Sequence, residues 1–179
     1  MRFTTKECNA VDLFCGAGGM SLGLQMAGYN INMGLDFVKD CEDTHNINFP
    51  DVPFICGDIT NVKGSEILNK IGLKKGELTL VSGGPPCQGF SIVGKRDPSD
   101  KRNQLIFEFA RVVKDKKPKK FIMENVSRLK SVNNGRTIKS FKSKLEKEGY
   151  SVKCDIHNAL DFGVPQSRKR VICIGERKK

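Results

Sequence analysis

Three observations predict an α/β fold with a doubly wound, mostly parallel sheet. Short apolar runs alternate with amphipathic stretches along nearly the whole chain. Glycines and acidic residues cluster just after those runs, where a strand hands over to a helix. The last two apolar runs have no helical stretch between them. Alternating β and α units give a parallel sheet covered by helices on both faces. The final two strands should instead pair antiparallel at one side.

Taken in order, Asn9–Phe14 reads as a first strand, followed by the turn Cys15-Gly16-Ala17-Gly18-Gly19 into a helix ending near Gly28. Ile31–Asp36 is a second strand, with an amphipathic segment from about Val38 to Asn46 behind it. Pro53–Cys56 gives a short third strand, and Ser65–Ile71 a short helix that Gly72 terminates. Leu78–Val81 is the fourth strand, and Asn103–Lys114 a helix with Leu105, Ile106, Phe109 and Val112 on its buried side. Phe121–Met123 is the fifth strand. Thr137 is positioned to cap a helix whose Ile138, Phe141 and Leu145 share a face and whose end is marked by Gly149. Tyr150–Ile156 and Arg170–Gly175 close the pattern as the antiparallel pair.

The length, 179 residues, suits a single domain spanning 1–179. With 38% hydrophobic and 28% charged residues, the composition excludes a disordered chain. No apolar run reaches membrane-spanning length, and Met1-Arg2-Phe3-Thr4-Thr5-Lys6 lacks a signal-peptide core, so a cytoplasmic location is expected. Seven cysteines without a C-x-x-C pair indicate neither a disulfide framework nor a structural zinc site. A net charge of +11 favours a polyanionic partner, nucleic acid before membrane surface. The densest basic run, Lys116-Lys117-Pro118-Lys119-Lys120, is equally well explained as a solvated loop.

Chemistry concentrates at strand ends, where ligands of doubly wound sheets bind. In Ser82-Gly83-Gly84-Pro85-Pro86-Cys87-Gln88, two glycines release the backbone from its strand and two prolines stiffen it, presenting Cys87 as a nucleophile or simply as a buried free thiol. Glycines at 16, 18 and 19 let a ligand approach the backbone, although the run is not the full G-x-G-x-x-G fingerprint, since Ser21 fills its last position. Asp36 ends the second strand, where a carboxylate can accept from ribose hydroxyls. Asp58 could accept from an adenine amino group. Either aspartate alone reads equally well as a cap or turn residue. Glu124-Asn125-Val126 should neighbour Cys87 across the sheet, as a proton donor or as a salt-bridged structural carboxylate. Gln166-Ser167-Arg168-Lys169-Arg170 supplies guanidinium groups or an exposed basic turn.

Phe14-Cys15-Gly16-Ala17-Gly18-Gly19, Pro85-Pro86-Cys87-Gln88, Glu124-Asn125-Val126 and Gln166-Ser167-Arg168-Lys169-Arg170, in that order, resemble the cytosine-5 DNA methyltransferase family from about Val11 to Gly175. The resemblance implies the S-adenosylmethionine-dependent methyltransferase type of sheet and transfer of a methyl group to carbon 5 of cytosine, with no metal. It makes Cys87 the thiolate that adds to carbon 6, Glu124 the donor to ring nitrogen N3 and Arg168 the partner of carbonyl oxygen O2. It places S-adenosylmethionine against Phe14, Gly16, Gly18 and Asp36 on one side and Asp58, Pro86 and Leu105 on the other. The implied partner is double-stranded DNA with a flipped cytosine, and Lys95 and Arg96 would contact phosphate in a segment, Gly89–Asp100, that closes over the base.

The family continues into a target-recognition region and two further motifs after Gln166–Arg170, and none of these follows here. A second polypeptide carrying the missing region, a truncated product, or a non-catalytic cofactor- or partner-binding remnant are the alternatives this leaves. RNA, notably tRNA, is the alternative substrate, because similar proteins act on it. Abundant Lys, Asn and Ile point to an AT-rich bacterial or phage source.

Overall fold

A computed structural model describes residues 8–86 and 104–178. The elements are β1 (Asn9–Leu13), α1 (Gly19–Met26), β2 (Asn30–Asp36), α2 (Lys39–Asn48), β3 (Phe54–Cys56), α3 (Gly64–Lys70) and β4 (Leu80–Gly83). They continue with α4 (Leu105–Lys116), β5 (Lys120–Val126), α5 (Arg136–Lys147), β6 (Tyr150–Asn158) and β7 (Lys169–Arg177). Among the described residues, seven strands form one sheet in the order β3-β2-β1-β4-β5-β7-β6. β1 to β5 run parallel, and β7 lies antiparallel to both β5 and β6. This is the doubly wound sheet with an antiparallel pair that the alternation of runs predicts.

Strand residues alternate between the two faces. Val11, Leu13, Val81, Phe121 and Met123 turn one way into the larger core, built with Ile67 of α3, Phe109 and Val113 of α4, and Phe141 and Leu145 of α5. Phe121 sits edge-on to Phe109, Phe141 and Tyr150, with ring centres 5.5–6.1 Å apart. Ala10, Ile31 and Leu80 turn the other way and meet Leu24 of α1. Asp12, Ser82 and Glu124 stand on this second face by the same alternation. The sequence order reverses between β1 and β4, so a crevice opens there at the carboxyl ends of the strands.

Three local expectations are corrected. β4 extends to Gly83 instead of stopping at Val81, because Ser82 and Gly83 are paired on both sides, with β1 and β5. Gly135, at φ +73°, occupies the cap of α5 in place of Thr137, since Asn133 and Asn134 both turn left-handed just ahead of it. Cys154 and Cys173 form a disulfide, which the spacing of the cysteines did not indicate. They are directly opposite in the β6–β7 register, with Cα atoms 4.0 Å apart, and register is invisible in residue spacing. Among the described residues no helix is long and apolar enough to cross a membrane.

His45 of α2 is fully buried against Phe49 and Phe54, with ring centres 4.7 and 5.0 Å away, and neither ring nitrogen has a hydrogen-bond partner among the described residues. Burial holds its pKa below the ordinary 6.5. The unfolded chain therefore takes up a proton near pH 6.5 that the folded one refuses, and this contribution to stability is present above that pH and lost as pH falls below it. Thermal melts from pH 7.5 to 5 should show a declining Tm, with the decline reduced in His45→Phe. Parallel curves for the two proteins would show that His45 carries none of it.

Candidate active site

β1 ends at Leu13, and the chain leaves it through two left-handed residues, Phe14 at φ +55° and Gly16 at φ +54°. A bulky residue adopts that conformation only when its surroundings impose it. The turn is closed by Asp36 at the end of β2: its Oδ2 accepts the Gly16 N–H at 2.9 Å and its Oδ1 accepts the Val38 N–H at 3.1 Å. Asp36 thus fixes the turn from the neighbouring strand and still has lone pairs free, since each carboxylate oxygen can take a second donor. The space beside the Gly16 Cα is open for 4 Å, so a ligand can reach that backbone. Gly18, at φ +97°, is different: a Cβ there would run into the Phe49 ring, so its glycine serves the packing of α2.

Phe37, which sequence reasoning passed over, follows Asp36 and is 70% exposed. An aromatic directly behind an acidic strand end is the available signal. Asp58, beyond β3, is exposed and accepts the Thr60 N–H at 2.8 Å, which is a turn-forming bond. Leu105, the first residue of α4, is partly buried against the larger core.

The exit from β4 is held from β5. Asn125 is buried and donates its side-chain amide to the Pro85 carbonyl at 2.9 Å, while Pro86 stays partly buried. A Cβ on Gly84 would lie 3.3 Å from Glu124 Oε2, so the glutamate stands directly against this segment. Its other oxygen, Oε1, pairs with Arg170 Nε at 2.9 Å. One carboxylate oxygen is therefore anchored and the other faces the β4 exit. Arg170 is the second residue that sequence reasoning did not single out. It is the second residue of β7, opposite Val126, which puts it diagonal to Glu124 on the same face.

Arg168 is exposed, with its backbone pinned to Asn158 at 2.8 Å through its N–H. It lines an open cleft of about 410 Å³ together with Glu124, Arg170, His157 and Phe162. That volume falls within the roughly 300–1,000 Å³ usual for ligand sites. The cleft brings together two of the three expected catalytic residues. Cys87, Lys95 and Arg96 lie outside the described residues.

Residues 8–179 match the family described as C-5 cytosine-specific DNA methylase. The chain belongs to that family. Among curated members it is similar to the type II methyltransferase M1.HphI of Haemophilus parahaemolyticus, 44% identical over 170 residues, which are 93% of this chain and 45% of that protein. Similarity to M.AquIA of Picosynechococcus is 38% over 180 residues, covering 96% of this chain and 73% of that one. The chain thus spans less than half of the Haemophilus methylase and about three quarters of the Picosynechococcus one. Among solved structures, an E. coli prophage-encoded protein described as a DNA modification methyltransferase superposes with a TM-score of 0.83 at 30% identity, over 94% of this chain and 46% of that one. S. pombe Dnmt2 superposes with a TM-score of 0.76 at 22% identity over 95% of this chain and 51% of that one, a likeness of fold alone. The glycine turn, the β4 exit and the Glu124–Arg170 pair all lie at the carboxyl edge of this chain's parallel strands.

Proposed function

We propose that this chain carries the catalytic and cofactor-binding half of a DNA cytosine-5 methyltransferase. The observation that carries the reading is the carboxylate of Glu124, anchored by Arg170 and turned toward the segment that leads to Cys87.

The residues at the glycine turn fit S-adenosylmethionine. Open backbone at Gly16 accommodates the amino-acid part, the spare lone pairs of Asp36 suit ribose hydroxyls, and Phe37 offers a stacking plane for adenine. Asp58 has one oxygen committed to Thr60 and the other available for the adenine amino group. Phe14, Gly18, Pro86 and Leu105 complete the walls. Bound there, the cofactor supplies an electrophilic methyl group.

The protein's task is to make carbon 5 of cytosine a nucleophile. Cys87, as thiolate, forms a bond to carbon 6 and pushes electron density onto carbon 5 and the N3–O2 edge. Glu124, in its carboxylic-acid form with Oε1 still accepting from Arg170, donates its proton to N3, and Arg168 donates to O2, meeting the charge as it develops. Arg168, as a nearby cation, also favours the thiolate form of Cys87. After methylation, loss of the carbon 5 proton lets the sulfur leave, and Cys87 is regenerated. The base reaches these groups only outside the duplex stack. A net charge of +11 supports binding of the phosphate backbone, with Lys95 and Arg96 as the assigned contacts.

Transfer of a labelled methyl group to duplex DNA, with tRNA as the competing substrate, tests the assignment. Transfer to tRNA alone would replace DNA by RNA in it. The cofactor site is tested separately. Asp36→Ala should weaken S-adenosylmethionine binding by about tenfold or more in calorimetry, because it removes both the ribose partner and the bond that shapes the turn. Unchanged affinity would place the cofactor elsewhere.

A further inference from the structure

The face of the sheet beneath α1 holds a carboxylate that neither the fold nor the reaction above accounts for. Asp12, in the apolar run Ala10-Val11-Asp12-Leu13, is fully buried, as are Ser21 of α1 and Ser82 of β4. Asp12 Oδ2 accepts the Ser21 hydroxyl at 2.7 Å, and Oδ1 accepts the Ser82 hydroxyl at 2.7 Å. A buried carboxyl is costly, and a leucine with two alanines would fill the same layer beside Ala10, Leu24 and Leu80 more cheaply. Satisfied polar networks in a core do fix one arrangement of the elements they join. The elements joined here are the two that flank the crevice. Ser21 follows the glycine turn that Asp36 closes, and Ser82 precedes the Gly83-Gly84-Pro85-Pro86 exit whose far end Asn125 holds.

We propose that Asp12 is a positioning residue whose bridge to Ser21 and Ser82 couples the cofactor turn to the segment leading to Cys87. The proposal rests on the reading of the site given above. Its content is that a change on one side of the bridge alters behaviour on the other, reciprocally. Ser82 bonds through its side chain to Asp12 and to the Val11 carbonyl, both on β1, so the carboxylate is its side-chain route to the glycine turn.

The test combines binding of S-adenosylhomocysteine, followed by calorimetry, with alkylation of Cys87 by iodoacetamide in cofactor-free protein, followed by mass spectrometry. Ser82→Ala should lower cofactor affinity about fivefold, with Ser82→Thr, which keeps the hydroxyl, restoring it. Ser21→Ala should change the alkylation rate of Cys87 about threefold or more, while Cys8 and Cys56 react as before. The double variant Ser21→Ala/Ser82→Ala should bind the cofactor no more weakly than Ser21→Ala alone, because both act through one carboxylate. Where an alanine variant fails to fold, cysteine, similar in size and a weaker donor, should give the same losses. Full affinity in Ser82→Ala, or unaltered Cys87 reactivity in Ser21→Ala, overturns the coupling and leaves Asp12 a purely structural group. Absence of cofactor binding in the unaltered protein would instead remove the site reading, and the coupling with it.

Discussion

Replacing Cys87 with alanine is expected to abolish methyl transfer while leaving the fold and cofactor binding intact. The loss should be on the order of 10⁴-fold or more, as for other covalent nucleophiles, because nothing else activates carbon 5 of cytosine. Cofactor binding should survive, since Asp36 ends β2, and Gly16 and Phe37 lie in the segments that follow β1 and β2, across the crevice from the β4 exit. Calorimetry with S-adenosylhomocysteine and a methyl-transfer assay on the same preparation separate the two effects. Measurable turnover in the variant would mean that Cys87 is not the nucleophile.

The second large effect concerns the Glu124–Arg170 pair. Glu124→Ala should lower the rate by about 10²–10⁴-fold, the usual contribution of a positioned proton donor. Arg170→Ala leaves the carboxyl in place without its anchor, and the expected loss is about 10²-fold, the scale of a misplaced catalytic group. Arg170→Lys keeps the charge but not the planar fork, so it should fall between. Because the arginine acts through the glutamate, the double variant should be no slower than Glu124→Ala alone. Additive losses in that double-mutant cycle would assign Arg170 an independent contact with substrate.

The order of the elements and the strand-end position of each motif could be read from the chain because both are local. Short apolar runs separated by amphipathic stretches encode β and α directly, and the antiparallel final pair follows from the lack of a helix between two runs. What escaped reading depends on register or on the third dimension. Arg170 meets Glu124 only because β7 runs antiparallel against β5, and Cys154 meets Cys173 for the same reason across β6 and β7. Gly18 reads from the sequence as a ligand-facing glycine beside Gly16, and only the fold shows that a side chain there would also meet the Phe49 ring just after α2, some thirty residues away. Asp12 was hidden by its setting: an acid within an apolar run signals a partner, but Ser21 and Ser82 could not be named before the sheet had brought β1 beside β4.

The central claim is the covalent role of Cys87, and the most direct measurement is trapping on DNA. Duplex containing 5-fluorocytosine in place of the target cytosine, incubated with the protein and S-adenosylmethionine, blocks the final elimination because carbon 5 carries fluorine where a proton must leave. The account predicts a protein–DNA adduct that survives denaturation, bears one added methyl group and maps to the peptide containing Cys87. Methyl transfer to ordinary cytosine with no trapped adduct, or an adduct on another residue that persists in Cys87→Ala, would contradict it.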